Sequence, residues 1–190
     1  AFEVSKMANG KYIWFFGDDD LLIKDSLNKI LNFLEDKNPS LVIFNSKSFD
    51  TNGQIQERRV PINENIFFKL EDNDKFLSMM GGYITYIPSI LIDKNLWFKN
   101  YSQSKQGTFF AHVDAVLRSK NNCSAHFFSE PVINMRVHSQ TWTDSHFEIW
   151  NFFYPQVIWS VEGYTDEAKE KIITKNPLGM VKRYISSRAW

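Results

Sequence analysis

Lys11-Tyr12-Ile13-Trp14-Phe15-Phe16-Gly17-Asp18-Asp19-Asp20 is the stretch from which the fold can be read. Lys11 to Phe16 is aromatic and β-branched without a breaker, the pattern of a short buried strand. That strand runs straight through Gly17 into three carboxylates. Upstream, residues 1 to 8 suit a helix closed by the Asn9-Gly10 turn pair. Downstream, Asp25-Ser26 can cap a helix over about 26 to 37, because Leu27, Ile30, Leu31 and Leu34 follow helical spacing.

After Pro39, Leu41 to Phe44 is a second buried strand, and Asp50-Thr51-Asn52-Gly53 is a hairpin turn. Asp72 to Met80 reads as a helix ending at Gly81-Gly82. Tyr83 to Ile92 reads as β-rich and broken at Pro88, Thr108 to Ser119 as a helix, and Phe127 to Val137 as extended. From Ser145 the chain is a series of aromatic-rich amphipathic helices. Strand and helix alternate in the first half and helices fill the last, so the expected class is α/β, a parallel core with a helical extension.

Composition narrows the function classes. The 190 residues are 43% hydrophobic and 16% aromatic, enough for one sizeable core. Lys plus Arg and Asp plus Glu are equal at 22 each, which gives no field for a nucleic-acid partner. The single cysteine, Cys123, excludes an internal disulfide and agrees with a cytoplasmic setting. Apolar runs such as Phe147 to Trp159 fall short of the roughly 20 residues of a membrane span, so no transmembrane segment is expected. Ala1 to Lys6 has neither an initiator Met nor the plan of a signal peptide, and the expectation is a piece of a longer protein.

Three adjacent carboxylates at a strand end repel one another and call for a cation or donor groups. Mg or Mn, which takes one or two carboxylates and completes its shell with substrate phosphate oxygens, is the natural partner. Acids that face the positive end of the next helix would satisfy the same pattern.

The order Ala8-Asn9-Gly10, strand, Gly17, then Asp18-Asp19-Asp20-Leu21-Leu22 resembles the DXD region of family 2 glycosyltransferases of the GT-A fold. The resemblance implies a GT-A-like (Rossmann-like) mixed sheet flanked by helices. The catalytic part spans 1–140 without the family's first β-α-β unit, and a helical extension spans 141–190. It also implies Asp19 and Asp20 as metal ligands, with Asp18 at the metal or the donor ribose. Gly107 to Arg118 sits where the family carries its Glu-Asp motif and general base. Aligning Leu117-Arg118 on the family's Leu-Arg places His112 where the usual Asp stands, a departure shared in flavour with abequosyltransferase-like enzymes of O-antigen synthesis.

His112 is then a base candidate or a structural histidine, and Asp114 an alternative base or a salt-bridge partner. Arg136 and His138 resemble the family's Arg-x-His near the diphosphate, or else end a surface strand. Gly81-Gly82-Tyr83 could let the acceptor approach, or cap a helix. Trp97, Trp142 and Trp150 could stack on sugars or fill the core.

The implied activity is metal-dependent, inverting transfer of a sugar from a nucleotide-diphosphate donor to an acceptor hydroxyl, in bacterial surface polysaccharide synthesis. The acceptor would be a saccharide or lipid-linked saccharide, met in the cytoplasm or at the inner face of the membrane. Two competing classes use the same residues: a metal-dependent nucleotidyl- or phosphotransferase, and a non-catalytic sugar-binding module.

Overall fold

In the computed structural model, residues 2–49, 55–101, 109–137 and 145–175 are described. A short helix, α1 (Phe2–Ser5), precedes strand β1 (Tyr12–Trp14) and the two-residue β2 (Leu21–Leu22) beyond the acidic turn. Helix α2 occupies Ser26–Lys37 as its apolar spacing predicts. Asp25 at its N-cap makes no side-chain cap bond; it adopts a left-handed φ of 64°, as Asn38 does at the C-cap with φ 43°. Short polar side chains tolerate that region better than branched ones.

The sheet is built around β3 (Leu41–Phe49) and β7 (Ala125–Arg136), which run parallel. Beside β3 lie β6 (Ile90–Asp93) and β4 (Ile55–Arg58); beside β7 lie β5 (Ile66–Phe68) and β2, all antiparallel to their partners. β1 completes the order β1-β6-β3-β7-β2. The parallel core expected from the sequence is therefore a single parallel pair inside a mixed sheet.

The segment expected as β-rich over 83–92 forms a strand only from Ile90, because Ile87–Ser89 is a 3₁₀ turn at Pro88, which has no N–H for a ladder. The Asp50–Gly53 turn lies outside the described residues, but β3 and β4 pair antiparallel on either side of it.

The parallel pair is interrupted where β7 carries Pro131. Phe44 stands opposite Phe128 and Ser46 opposite Ile133, so Asn45 alone faces the bulged residues. Asn45 is buried and satisfies the break. Its Nδ2 donates to Val60 O and Ser129 O, each at 2.9 Å, while Oδ1 accepts from the N–H of Val60 at 3.0 Å and of Ser46 at 2.9 Å.

Helices α3 (Asn73–Met80), α4 (Lys94–Tyr101) and α5 (Ala111–Lys120) cover one face of the sheet. After α6 (His146–Glu148) and a π-helical turn at Ile149–Phe153 come α7 (Tyr154–Ser160) and α8 (Asp166–Ile172). Thr165 caps α8 by accepting the Ala168 N–H. Ile149, Tyr154, Val157, Ile158 and Ala168 join one core with Ile13, Leu41, Trp97 and Val116. On the other face α2 places Ile30 against Val42, Phe44 and Val132. No described helix is long and apolar enough to cross a membrane.

Candidate functional site

β1 pairs with β6, and the turn that follows it meets the C-terminal end of β7, where the Arg136 N–H reaches Asp20. Between them opens a cavity of about 580 Å³. Its wall takes Gly17, Asp19 and Asp20 from the turn, Arg59 from the chain after β4, and Thr85 to Pro88 from the chain before β6. Phe109, Phe110 and His112 enter from the start of α5, Met135 and Arg136 from β7, and Ile149 and Trp150 from the π-helical turn.

The acidic trio divides. Asp18 is exposed and outside the cavity wall, whereas Asp19, half-buried, and Asp20, buried, both belong to it. Asp20 Oδ1 accepts the Arg136 N–H at 3.1 Å, tying the turn to the end of β7. Burial raises the Asp20 pKa and the charge of Asp19 adds to the rise, against the opposing effects of the Tyr86 hydroxyl and the Arg136 N–H. The Tyr86 phenol is buried beside this carboxylate without closing a hydrogen bond of good geometry, and burial together with Asp20 pushes its pKa up.

Gly17 leaves room for the two carboxylates. A Cβ there would stand 2.8 Å from Asp19 Oδ1 and 3.1 Å from Asp20 Oδ2, because both carboxylates fold back over the backbone.

Across the cavity, His112 Nε2 lies 3.1 Å from the Thr85 carbonyl oxygen. A carbonyl only accepts, so Nε2 carries the proton and Nδ1 is left as the neutral ring's proton acceptor. The ring is enclosed although the residue reaches the cavity wall, and burial pushes its pKa down to about 4. The imidazole is neutral at pH 7. Asp114 lies elsewhere: it is fully buried, outside the cavity wall, and Oδ2 takes the Arg118 Nε–H at 2.9 Å.

Of the remaining sequence candidates, Arg136 is in the wall, with its guanidinium 5.8 Å from the Phe49 ring centre. His138 and Trp142 lie outside the described residues. Trp97 is a core residue that donates to Ser5 Oγ at 3.0 Å, whereas Trp150 lines the cavity and packs edge-on against Tyr154 at 5.4 Å. Gly81 is a packing glycine: a Cβ would meet Leu77 O at 2.7 Å and Ile172 at 3.1 Å. Arg59, Thr85 and Tyr86 are wall residues that the sequence did not single out; the only trace there is a basic pair, Arg58-Arg59, ahead of Val60-Pro61.

Among the described residues no three His, Cys, Asp or Glu side chains gather into a metal cage. Asp19 and Asp20 supply two carboxylates at the cavity wall. Two carboxylates, with the charged form of Asp20 disfavoured by burial, fit a hard divalent ion whose shell a substrate completes, and do not fit an ion held by protein ligands alone.

Residues 3–91 match the model described as Glycosyl transferase family 2. Abequosyltransferase RfbV of Salmonella typhimurium is 29% identical over 144 residues, covering 68% of this chain and 42% of that protein. Among solved structures, S. aureus TarS 1–349 in complex with UDP-GlcNAc has a TM-score of 0.57 at 13% identity, covering 97% of this chain and 51% of that one. The same protein in complex with UDP gives 0.53 at 15% identity, covering 96% and 49%. The likeness to TarS shows the fold, and the GT-A-like class read from the sequence is met. The chain thus spans less than half of the curated relative it matches and about half of the solved one.

Proposed function

We propose that the cavity between Asp19, Asp20 and His112 is the site of sugar transfer from a nucleotide-diphosphate donor to an acceptor hydroxyl, a reading supported by the match of residues 3–91 to the Glycosyl transferase family 2 model. The observation that carries this reading is convergence. The acids, the neutral imidazole and Arg136 come from three separate stretches of chain and line one space of about 580 Å³, which suits a sugar nucleotide. TarS with UDP and UDP-GlcNAc supports a nucleotide donor, and RfbV supports a role in surface polysaccharide assembly. A lipid-linked acceptor would place the protein at the inner face of the membrane.

In the mechanism, Asp19 and Asp20 face the donor diphosphate, and Arg136 offsets charge on it. A Mg or Mn ion held by these two carboxylates would neutralise charge that develops on the leaving diphosphate. His112 takes the acceptor hydroxyl proton on Nδ1 while Thr85 holds Nε2–H. The acceptor oxygen bonds to the anomeric carbon, and the electron pair of the breaking carbon–oxygen bond leaves on the diphosphate. A single displacement of this kind inverts the anomeric centre. An imidazole at pKa about 4 is a weak base alone; a diphosphate in the same cavity raises it towards the working range. Within this reading residues 1–140 form the catalytic part, and 141–190 a helical extension that lends Ile149 and Trp150 to the acceptor side.

Calorimetric titration with Mn and a panel of nucleoside diphosphates tests the acid site, comparing the chain with an Asp19→Ala, Asp20→Ala double variant. Metal-dependent binding that the variant loses is the expected result. Equal binding by both would overturn the assignment.

A further inference from the structure

Arg59 stands in the cavity wall, and among the described residues no acid answers its charge. Nη1 reaches the Tyr83 carbonyl oxygen only at 3.5 Å and Nη2 reaches Thr85 Oγ1 at 3.4 Å, both neutral acceptors at the long limit of hydrogen bonding. The guanidinium also lies over the rings of Tyr86 at 5.2 Å and Tyr83 at 5.9 Å. Among the described residues no carboxylate comes within ion-pair distance of it. Burial disfavours its charged form.

A guanidinium has five N–H donors and no acceptor, so two long bonds leave most of its capacity unused. Desolvated cations in proteins are ordinarily paired, and an unpaired one beside an open cavity is arranged for an anion that arrives with a ligand. The two neighbouring tyrosine rings restrict the guanidinium, which lowers the entropy lost when two oxygens dock on it.

We propose that Arg59 is an anion subsite of this cavity, receiving phosphate or carboxylate oxygens of a bound substrate. The inference rests on the cavity being the substrate site, and it adds a second anion position apart from Asp19, Asp20 and Arg136. Thr85 connects the subsite to the base: its hydroxyl faces Arg59 and its carbonyl faces His112. An anion on Arg59 therefore lies one residue, Thr85, away from the base. Two sources share the chemistry, an anionic group on the acceptor and the diphosphate of the donor.

The test titrates the metal-free chain with inorganic pyrophosphate, in wild type, Arg59→Gln and Arg59→Lys. Arg59→Gln is expected to weaken binding roughly ten- to a hundredfold, with Arg59→Lys between, as for loss of a charge-assisted hydrogen bond. A second measurement avoids any folding defect in the variants. Phenylglyoxal labelling of wild-type protein, mapped by mass spectrometry, should show pyrophosphate protecting Arg59 but not Arg58. An unprotected Arg59, equal binding by Arg59→Gln, or no pyrophosphate binding at millimolar concentration overturns the proposal.

In turnover, a raised acceptor KM in Arg59→Gln assigns the anion to the acceptor, and a raised donor KM assigns it to the nucleotide. Protection of Arg59 in a protein that transfers no sugar would leave the subsite standing while the transfer reading falls.

Discussion

At the scale of the residue, His112 shows how far chemistry can be inferred from a string of letters. Its place ahead of Leu117-Arg118 marked it as a base candidate, and it does line the cavity. Its titration was not legible. Burial pushes the pKa down to about 4, with Phe110 and the backbone at Thr85, 27 positions away, beside the ring. This makes a stability prediction with a definite sign. An unfolded histidine takes up a proton below about pH 6.5, whereas the folded one stays neutral until about pH 4. Stability should fall as pH drops through that window, by up to about 3 kcal/mol. Urea unfolding at pH 7 and pH 4.5 should show a smaller acid loss in His112→Gln, with a remaining slope from His126, whose pKa burial also lowers. An unchanged slope would remove His112 from this role. Arg59 was invisible for the converse reason: a basic pair near a proline looks like surface, and only the arrival of Tyr83 and Tyr86 encloses it.

Elements were legible where the local signal was strong. The spacing of Leu27, Ile30, Leu31 and Leu34 fixes α2 to the residue, while the strand at 83–92 shrinks to β6 because Pro88 withholds a donor. The bulge between β3 and β7 had no local signal beyond Pro131, since it depends on Asn45 filling the gap from the opposite strand. Asn45→Ala leaves the Val60 N–H and the Val60 and Ser129 carbonyls without these partners in a buried place. The expected loss is about 2–4 kcal/mol of unfolding free energy. Chemical denaturation measures it; a loss under 1 kcal/mol would mean that water replaces the amide without cost.

On the scale of the whole molecule, hydrogen bonds join parts of the chain that lie far apart in sequence. Tyr154 Oη donates to Gly81 O at 2.8 Å and Tyr164 Oη to Leu117 O at 2.8 Å, so the helices after residue 145 are bonded into the centre of the chain. A chain ending at residue 145 should therefore lose its sharp thermal transition, exposing Trp97's core to solvent. Calorimetry would show this, and a cooperative transition in the shortened chain would mean that the strand-bearing part folds alone. The sequence could not foretell that Trp150 shares a wall with Asp19, because periodicity speaks of one helix at a time.

The same wide spacing bears on how the protein comes into being. Asn45 must find Ser129, 84 positions later, before the central parallel pair can close. During synthesis β3 stays an unprotected hydrophobic edge until most of the chain has emerged. The order of translation thus makes nascent β3, with Leu41-Val42-Ile43-Phe44 at its head, the segment on which a chaperone would have most to do.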